Sequence, residues 1–227
     1  MNATIIKHTL LTAAILILFT AVGTALLTGT FETTKAPIAK SEREAKLHLF
    51  SQVLPASLHD NDLLQDALEL PPAELLGQRK ASTVYRARLN GQPAGVILEA
   101  IAPDGYSGEI KLLVGIAADG ALTGVRVLAH KETPGLGDYI DLAHGNWIKN
   151  FDRLSLAKLS DDGWKVKKDG GQFDYMTGAT ITPRAVVKAV HKALKYFDEQ
   201  RETIFAAPAA ATPSVTLPAP KAKGEAT

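Results

Sequence analysis

No residue between Thr9 and Thr28 carries a charge, and this segment, TLLTAAILILFTAVGTALLT, constrains the fold more than any other feature of the sequence. An α-helix needs about 20 apolar residues to cross the hydrocarbon core of a bilayer. Residues 9–28 are therefore predicted to form a single transmembrane helix after a short N-terminus, 1–8. Lys7 and His8 precede the segment. The positive-inside tendency then places the N-terminus in the cytoplasm and the bulk of the chain outside, although Lys35 and Lys40 on the far side reduce the asymmetry. A cleaved signal peptide is the alternative. The apolar run is long for such a peptide, and the small residues around Ala21 to Ala25 make a poor cleavage site, so the segment is taken as a retained anchor.

The chain has 227 residues, 46% of them hydrophobic. That suffices for one domain of roughly 100–200 residues with its own core. Net charge is +1, and Lys and Arg are dispersed rather than gathered into the basic footprint of a nucleic-acid binder. There is no cysteine, which excludes disulfides, thiolate iron–sulfur clusters, Cys-ligated zinc and a lipoprotein anchor. Redox chemistry in such a chain requires an added organic cofactor or a metal held by His and carboxylates. His8, His48, His59, His130, His144 and His191 show no ligand spacing such as H-x-x-x-H, and no metal site is predicted.

Behind the anchor, 29–40 has the composition of an exposed linker. Ser41-Glu42-Arg43-Glu44 fits a capping box, followed at helical spacing by Ala45, Leu49, Phe50, Val53 and Leu54 up to Pro55. The stretch from His59 to Gly77 is turn-rich and assigns no element. From Thr83 the period becomes that of strands. Thr83–Leu89 and Gly95–Ile101 flank the hairpin dipeptide Asn90-Gly91, and Ile110–Ala117 and Leu122–Ala129 flank Asp119-Gly120. The continuous apolar run Leu112, Leu113, Val114 and Ile116 predicts a strand covered on both faces. His130–Gly137 is a loop, and 138–151 is predicted to be helical in part. A strong helix follows, with Thr182 as N-cap and Pro183 at its first position. Its apolar stripe is Val186, Val190, Ala193, Leu194 and Phe197, and Arg184, Lys188, Lys192 and Lys195 lie opposite. The Ala- and Pro-rich tail, 205–227, lacks the apolar residues needed to order itself. The fold class is thus α+β: one transmembrane helix, then a domain over 41–204 with an antiparallel sheet and flanking helices.

Two segments could carry chemistry. Thr177-Gly178-Ala179-Thr180 is a run of small residues just before a helix start. Small side chains allow close backbone approach, and a helix N-terminus offers free N–H groups and a positive dipole end to a phosphate. An ordinary capped helix start explains the same residues. Glu132-Thr133-Pro134-Gly135-Leu136-Gly137 combines a stiffening proline with two glycines and a carboxylate able to accept from a ligand N–H. A tight crossover between strand and helix explains that loop equally well. Trp147 and Trp164 fit core or rim aromatics, and Asp161-Asp162 fits a solvated turn.

Asp174-Tyr175-Met176-Thr177-Gly178-Ala179-Thr180 resembles the flavinylation pattern of the FMN-binding domain family: Asp, two spacers, Ser or Thr, then Gly, Ala, Thr. With HKETPGLGD at 130–138, GYSGEIKLLVGI at 105–116 and the single anchor, the chain is similar to the G subunit of the Rnf (Rsx) electron transport complex. The related C subunit of the sodium-pumping NADH:quinone reductase shares the motif and the loop but is usually longer. The resemblance implies one FMN per chain, joined through its phosphate to Thr180 by a magnesium-dependent flavin transferase that uses FAD. It implies that Asp174 orients the motif for that transferase and that Thr177, Gly178 and Ala179 leave space around the phosphate. Glu132, Thr133, Pro134, Gly135, Leu136, Gly137 and Tyr106 would border the flavin ring, and Met176 could pack on it. For Tyr106 and Met176 plain core packing is an equal alternative.

The implied function is an electron-carrying subunit of an ion-translocating complex working between ferredoxin and NAD, without turnover of its own. It would be anchored in the inner membrane lipid with its domain on the periplasmic side, and its partners would be the other Rnf subunits. The C subunit of a sodium-pumping NADH:quinone reductase, a non-redox assembly or binding module and a stand-alone flavin reductase are the rivals.

Overall fold

The computed structural model describes residues 3–206. The part of the expected tail at 207–227 lies outside the described residues. Phe205 and Ala206 still belong to the last helix. The chain divides into two compact units, Met1–Leu49 and the part from Phe50 onwards.

The first unit is part of one long helix, α1, Ala3–Val53. Among the described residues it is the one helix long and apolar enough to cross a membrane. Leu10, Leu11, Ile15, Leu16, Leu18, Phe19 and Leu26 all stand exposed along it, an arrangement suited to lipid and costly in water. Two hydroxyls of its apolar segment are satisfied within the helix, as hydrocarbon favours. Thr12 donates to the His8 carbonyl at 2.9 Å and Thr20 to that of Leu16 at 2.8 Å.

The expected linker at 29–40 is helical, and Ser41 lies inside α1 rather than at an N-cap. Most of 29–40 consists of residues that tolerate a helix. Thr30, Thr33 and Thr34 return their hydroxyls to carbonyls three or four residues back, and the helix runs through Pro37. The core of the second unit begins at Phe50 rather than at 41.

The second unit is built on a five-stranded antiparallel sheet, β1 (Ala67–Leu70), β2 (Ser82–Leu89), β3 (Gln92–Ala102), β4 (Ile110–Ala117) and β5 (Leu122–Ala129), in the spatial order of the chain. Four strands stand where the alternating pattern places them. β1 lies in the unassigned stretch, pairing Ala67 with Tyr85 and Leu70 with Ser82 at one edge. Asn90 and Gly91 both adopt positive φ, 52° and 75°, as a type I′ hairpin turn demands.

Both faces of the sheet are covered. On the first, Val84, Val96, Leu98, Leu112, Val114, Ile116 and Val125 pack with helix α2 (Ile181–Ala206) and with the 138–173 segment. On the second, Tyr85, Ala87, Ile97 and Leu113 meet Phe50, Val53, Leu54 and Leu63. Leu112 and Leu113 are both buried on opposite faces, which explains the unbroken apolar run of β4. The Thr123 hydroxyl on β5 caps the last turn of α1, donating to the Val53 carbonyl at 2.5 Å.

The 138–173 segment carries only short 3-10 turns, including Asp138–Ile140 and Trp147–Phe151. Their aromatic rings hold the segment together. Phe151 and Phe173 lie 4.7 Å apart, and Trp147 meets Phe151 edge-on at 5.5 Å. Of the core or rim positions the sequence leaves open for Trp147 and Trp164, both occupy the core.

Residues Val186, Val190, Ala193, Leu194 and Phe197 of α2 are all buried. Its basic face is not simply solvated. Arg184 grips Asp169 through two bonds of 2.7 and 2.8 Å, Lys188 reaches Asp104 at 2.5 Å and Lys195 reaches Asp161 at 2.9 Å. These cations hold the three carboxyls below the usual aspartate range.

His191 stacks on Trp164 at 5.1 Å, with its Nε2 3.1 Å from Asp161. Burial, reinforced by Lys195, outweighs Asp161 and pushes the imidazole below its ordinary pKa of 6.5. Because the folded pKa is depressed, the unfolded chain binds the proton first on acidification. The stability that neutral His191 contributes is therefore complete above about pH 6.5 and is lost as the pH falls through the folded pKa. Urea midpoints at pH 7 and pH 5 should fall for the native chain and differ less for His191→Gln.

Candidate functional site

Residues 174–180 form a tight turn at the foot of α2. The Ala179 N–H donates to the Met176 carbonyl at 3.0 Å, and Gly178 sits at the third position with φ of 89°. That conformation marks a type II turn and is strained for any residue with a Cβ. The Arg184 N–H reaches the Thr180 carbonyl at 3.3 Å, and α2 begins at Ile181. Thr180, not Thr182, is therefore the N-cap residue. Its half-buried hydroxyl makes no hydrogen bond among the described residues. The N–H groups of Ile181 and Thr182 likewise have no intramolecular acceptor among the described residues. Free amides at the positive end of a helix form a ready anion cradle.

Thr182 does not serve as the cap because its side chain is used elsewhere. It is buried and donates to Glu132 Oε2. Glu132 Oε1 accepts from the Ser107 N–H at 3.0 Å. One buried carboxylate thus ties three separate segments together: the β3–β4 loop, the loop after β5 and the start of α2. The sequence suggests a bond from Glu132 to a ligand N–H; each of its oxygens already accepts one bond within the chain. Gly137 is required beside this knot, since a Cβ there would lie 2.9 Å from the Thr182 hydroxyl and 3.0 Å from Glu132 Cβ. The loop is held further by the Gly135 N–H, which donates to Asp138 Oδ1 at 2.8 Å.

Around this knot opens a cleft of about 280 Å³, lined by Tyr106, Glu132, Thr133, Leu136, Gly137, Gly178, Ala179, Ile181 and Thr182. Seven of these are expected site residues, brought together from the three sequence blocks. Ile181 and Thr182 are additions that the motif does not name. Thr180 stands between two lining residues, while Pro134, Gly135, Asp174, Met176 and Thr177 lie outside the lining. The volume is at the low end of the ~300–1,000 Å³ of ordinary ligand sites, so a planar ring would be seated against the cleft rather than enclosed. Tyr106 is 68% exposed and Met176 39%, which removes plain core packing as their explanation. A larger and more open hollow of about 780 Å³ on the sheet, lined by residues such as Gln78, Arg79, Glu99 and Lys111, includes no residue of the turn or of the 130–137 loop.

Asp174 does not face the cleft. Its carboxylate pairs with Lys167 at 2.5 Å, and its carbonyl accepts from the Trp147 indole at 2.8 Å. The Met176 N–H donates to the Tyr139 hydroxyl at 3.3 Å. Burial raises the Tyr139 pKa above its ordinary 10.0 despite that bond, so the phenol is neutral at physiological pH. Trp147, Tyr139 and Lys167 are not expected at the site from the sequence. Nothing local in it links them to the turn.

Comparison with known proteins agrees with this geometry. Residues 105–195 match the FMN-binding domain family, and residues 1–53 match the RnfG N-terminal region. The G subunit of the ion-translocating oxidoreductase complex of Pseudomonas aeruginosa is 50% identical over 206 residues, covering 91% of this chain and 96% of the relative. The protein of the same name from Vibrio cholerae is 48% identical, and that from Aliivibrio fischeri 46%, each covering 86% of this chain and 92% of the relative. The anchor-like helix, the cleft at the foot of α2 and these matches along nearly the whole chain together make it a member of the RnfG family, the G subunits of ion-translocating oxidoreductase complexes, with an FMN-binding domain behind an RnfG N-terminal region.

Proposed function

We propose that this chain is the FMN-carrying electron relay of an ion-translocating oxidoreductase, with one FMN joined through its phosphate to the Thr180 oxygen. The observation that carries this reading is the Thr180 hydroxyl: half-buried, free of hydrogen bonds among the described residues and placed between Ala179 and Ile181, which both line the cleft. A phosphoester at that oxygen lies at the positive end of α2, beside the free N–H groups of Ile181 and Thr182. Tyr106, Thr133, Leu136 and Ile181 supply apolar and hydroxyl surface for a ring, and the Glu132 knot fixes the spacing of those walls.

Bound FMN supplies a centre that exchanges electrons one or two at a time. The residues of this chain hold it and exclude water from one face. A threonine hydroxyl is too weak an acid to attack a phosphate unaided, so formation of the bond falls to a separate, metal-using flavin transferase. In this reading residues 9–28 span the inner membrane lipid, the domain lies on the periplasmic side, and the other subunits deliver and collect electrons moving between ferredoxin and NAD.

The test is to express the full chain with its transferase, image flavin fluorescence on a denaturing gel and map the adduct by peptide mass spectrometry. One FMN less one water on the peptide holding Thr180 is expected. A dark band beside an active transferase would remove the carrier role and favour a binding module.

A further inference from the structure

The attachment turn is not self-supporting. Within it there is a single backbone bond, from the Ala179 N–H to the Met176 carbonyl. Beyond the exposed ion pair of Asp174 with Lys167, its supports come from the 138–151 segment, 27 and 37 residues earlier in the chain: the Trp147 indole donates to the Asp174 carbonyl at 2.8 Å and the Met176 N–H to the Tyr139 hydroxyl at 3.3 Å. The two rings meet edge-on at 5.7 Å, so they form one unit, and Trp147 is in turn locked by Phe151. Trp147 is buried and Tyr139 half-buried, whereas every residue of the turn from Asp174 to Gly178 is exposed. The turn is thus a surface loop fastened to the aromatic core at two points.

Such fastening matters to a tethered cofactor. A flavin joined only through its phosphate has a flexible chain between the bond and the ring. A covalent link prevents loss but does not fix where the ring sits. Fixing the ring needs a rigid tether point and a wall to rest on. We infer that Trp147 and Tyr139 are positioning residues that clamp the attachment turn, and so hold a flavin borne on Thr180 against the cleft. The inference rests on the carrier reading above.

Loading itself needs only the exposed turn residues and Thr180, so loss of the clamp should leave the covalent bond intact and free the ring. Each lost hydrogen bond shifts the closed-to-open balance of the turn by roughly two- to tenfold. Phenylalanine removes the polar bond at either position; at Tyr139 it keeps the ring, and at Trp147 it puts a smaller ring in place of the indole, a loss of packing that the Trp164→Phe control shares.

The experiment uses the full chain, co-expressed with its transferase and held in detergent micelles. Trp147→Phe, Tyr139→Phe and the double variant are compared with the native chain. Trp164→Phe serves as control: it alters the same aromatic cluster, but its indole donates to the Leu159 carbonyl at 3.1 Å and not to the turn. Loading is read on a denaturing gel, and ring mobility from time-resolved flavin anisotropy and visible circular dichroism well below the melting temperature. The expected result is equal loading in all variants. A fast anisotropy component and a weakened flavin dichroism should appear in the double variant and be absent from the native chain and from Trp164→Phe. Unchanged anisotropy and dichroism in the loaded double variant would overturn the clamp and leave the carrier reading intact. An equal effect in Trp164→Phe would also overturn it, since packing alone would then explain the mobility. A native chain without covalent flavin would instead overturn the carrier reading.

Discussion

Thr180→Ala is expected to carry no covalent flavin at all while remaining folded and membrane-bound, and Thr180→Ser is expected to carry the flavin normally. The two variants separate chemistry from structure because of where Thr180 stands. A threonine at an N-cap ordinarily stabilises its helix by about 1 kcal/mol through a bond from its side-chain oxygen to an N–H in the first turn. Here that bond is absent among the described residues. Loss of the hydroxyl should therefore lower stability by less than that amount, or under about 2–4 °C in melting temperature for a domain of this size. The flavin signal on a denaturing gel falls to background at the same time, and electron flux through the reconstituted complex falls with it.

Thr177→Ala is the companion variant, since Thr177 is the other hydroxyl of the turn and is exposed. Retained fluorescence in Thr180→Ala together with its loss in Thr177→Ala would move the acceptor by three positions and sink the assignment. A cooperative loss of fold in Thr180→Ala, followed by Trp fluorescence, would mean that the hydroxyl has a structural role the geometry does not reveal.

The parts of this fold that could be seen in the sequence are those fixed by local rules. β2, β3, β4 and β5 combine period-two patterning with turn dipeptides whose conformations are forced, as the positive φ values at Asn90 and Gly91 illustrate. The run of small residues at 177–180 was legible as a motif before a helix start, and the positive φ of Gly178 shows the backbone requirement behind its glycine. β1 was not legible. Four residues at a sheet edge, Ala67–Leu70, owe their strand to pairing with β2 rather than to their own pattern. The helix through 29–40 was missed because Pro37 and the threonines suggest a break, whereas the threonine hydroxyls are satisfied by carbonyls about one turn back and the helix continues through Pro37.

At the site the division is the same. The cleft-lining residues Tyr106, Thr133, Leu136, Gly137, Gly178 and Ala179 were recoverable from contiguous blocks. The supports were not. Nothing in the sequence signals that Glu132 joins Ser107 to Thr182, which are 75 residues apart in the chain. Trp147 and Tyr139 act on the turn across 27 and 37 residues, and no periodicity encodes such contacts. Chemistry is carried by short motifs in this chain, and the geometry that would make it useful is carried by long-range pairs.

The longest-range of these pairs gives the largest expected effect on stability. Arg86→Ala should destabilise the domain by about 3–5 kcal/mol, the usual result of removing one partner from a buried ion pair. Arg86 is 1% exposed on β2. Its Nε donates to Asp66 Oδ1 at 2.8 Å, and one terminal nitrogen lies 2.5 Å from the same oxygen. The other terminal nitrogen donates to the Ile204 carbonyl at 2.9 Å, 118 residues away, in the last turn of α2. Arg88 adds a bond to Asp66 Oδ2 at 2.7 Å and one to the Phe205 carbonyl at 3.3 Å. Two arginines thus cap the negative end of the helix whose opposite end bears Thr180. Without Arg86, the Asp66 carboxylate keeps Arg88 and a long bond from the Asn61 amide at 3.5 Å, the Ile204 carbonyl loses the Arg86 donor, and a void opens where the side chain lay. Arg88→Ala should cost much less, about 1 kcal/mol, because that side chain is 24% exposed. The measurement is urea unfolding of the full chain in detergent, followed by Trp fluorescence. The chain has two tryptophans, Trp147 and Trp164, and both belong to the second unit, so the signal reports that unit and not the anchor. Equal, small losses in the two variants would show that the network is a solvated surface pair, and that α2 is held by its apolar stripe alone.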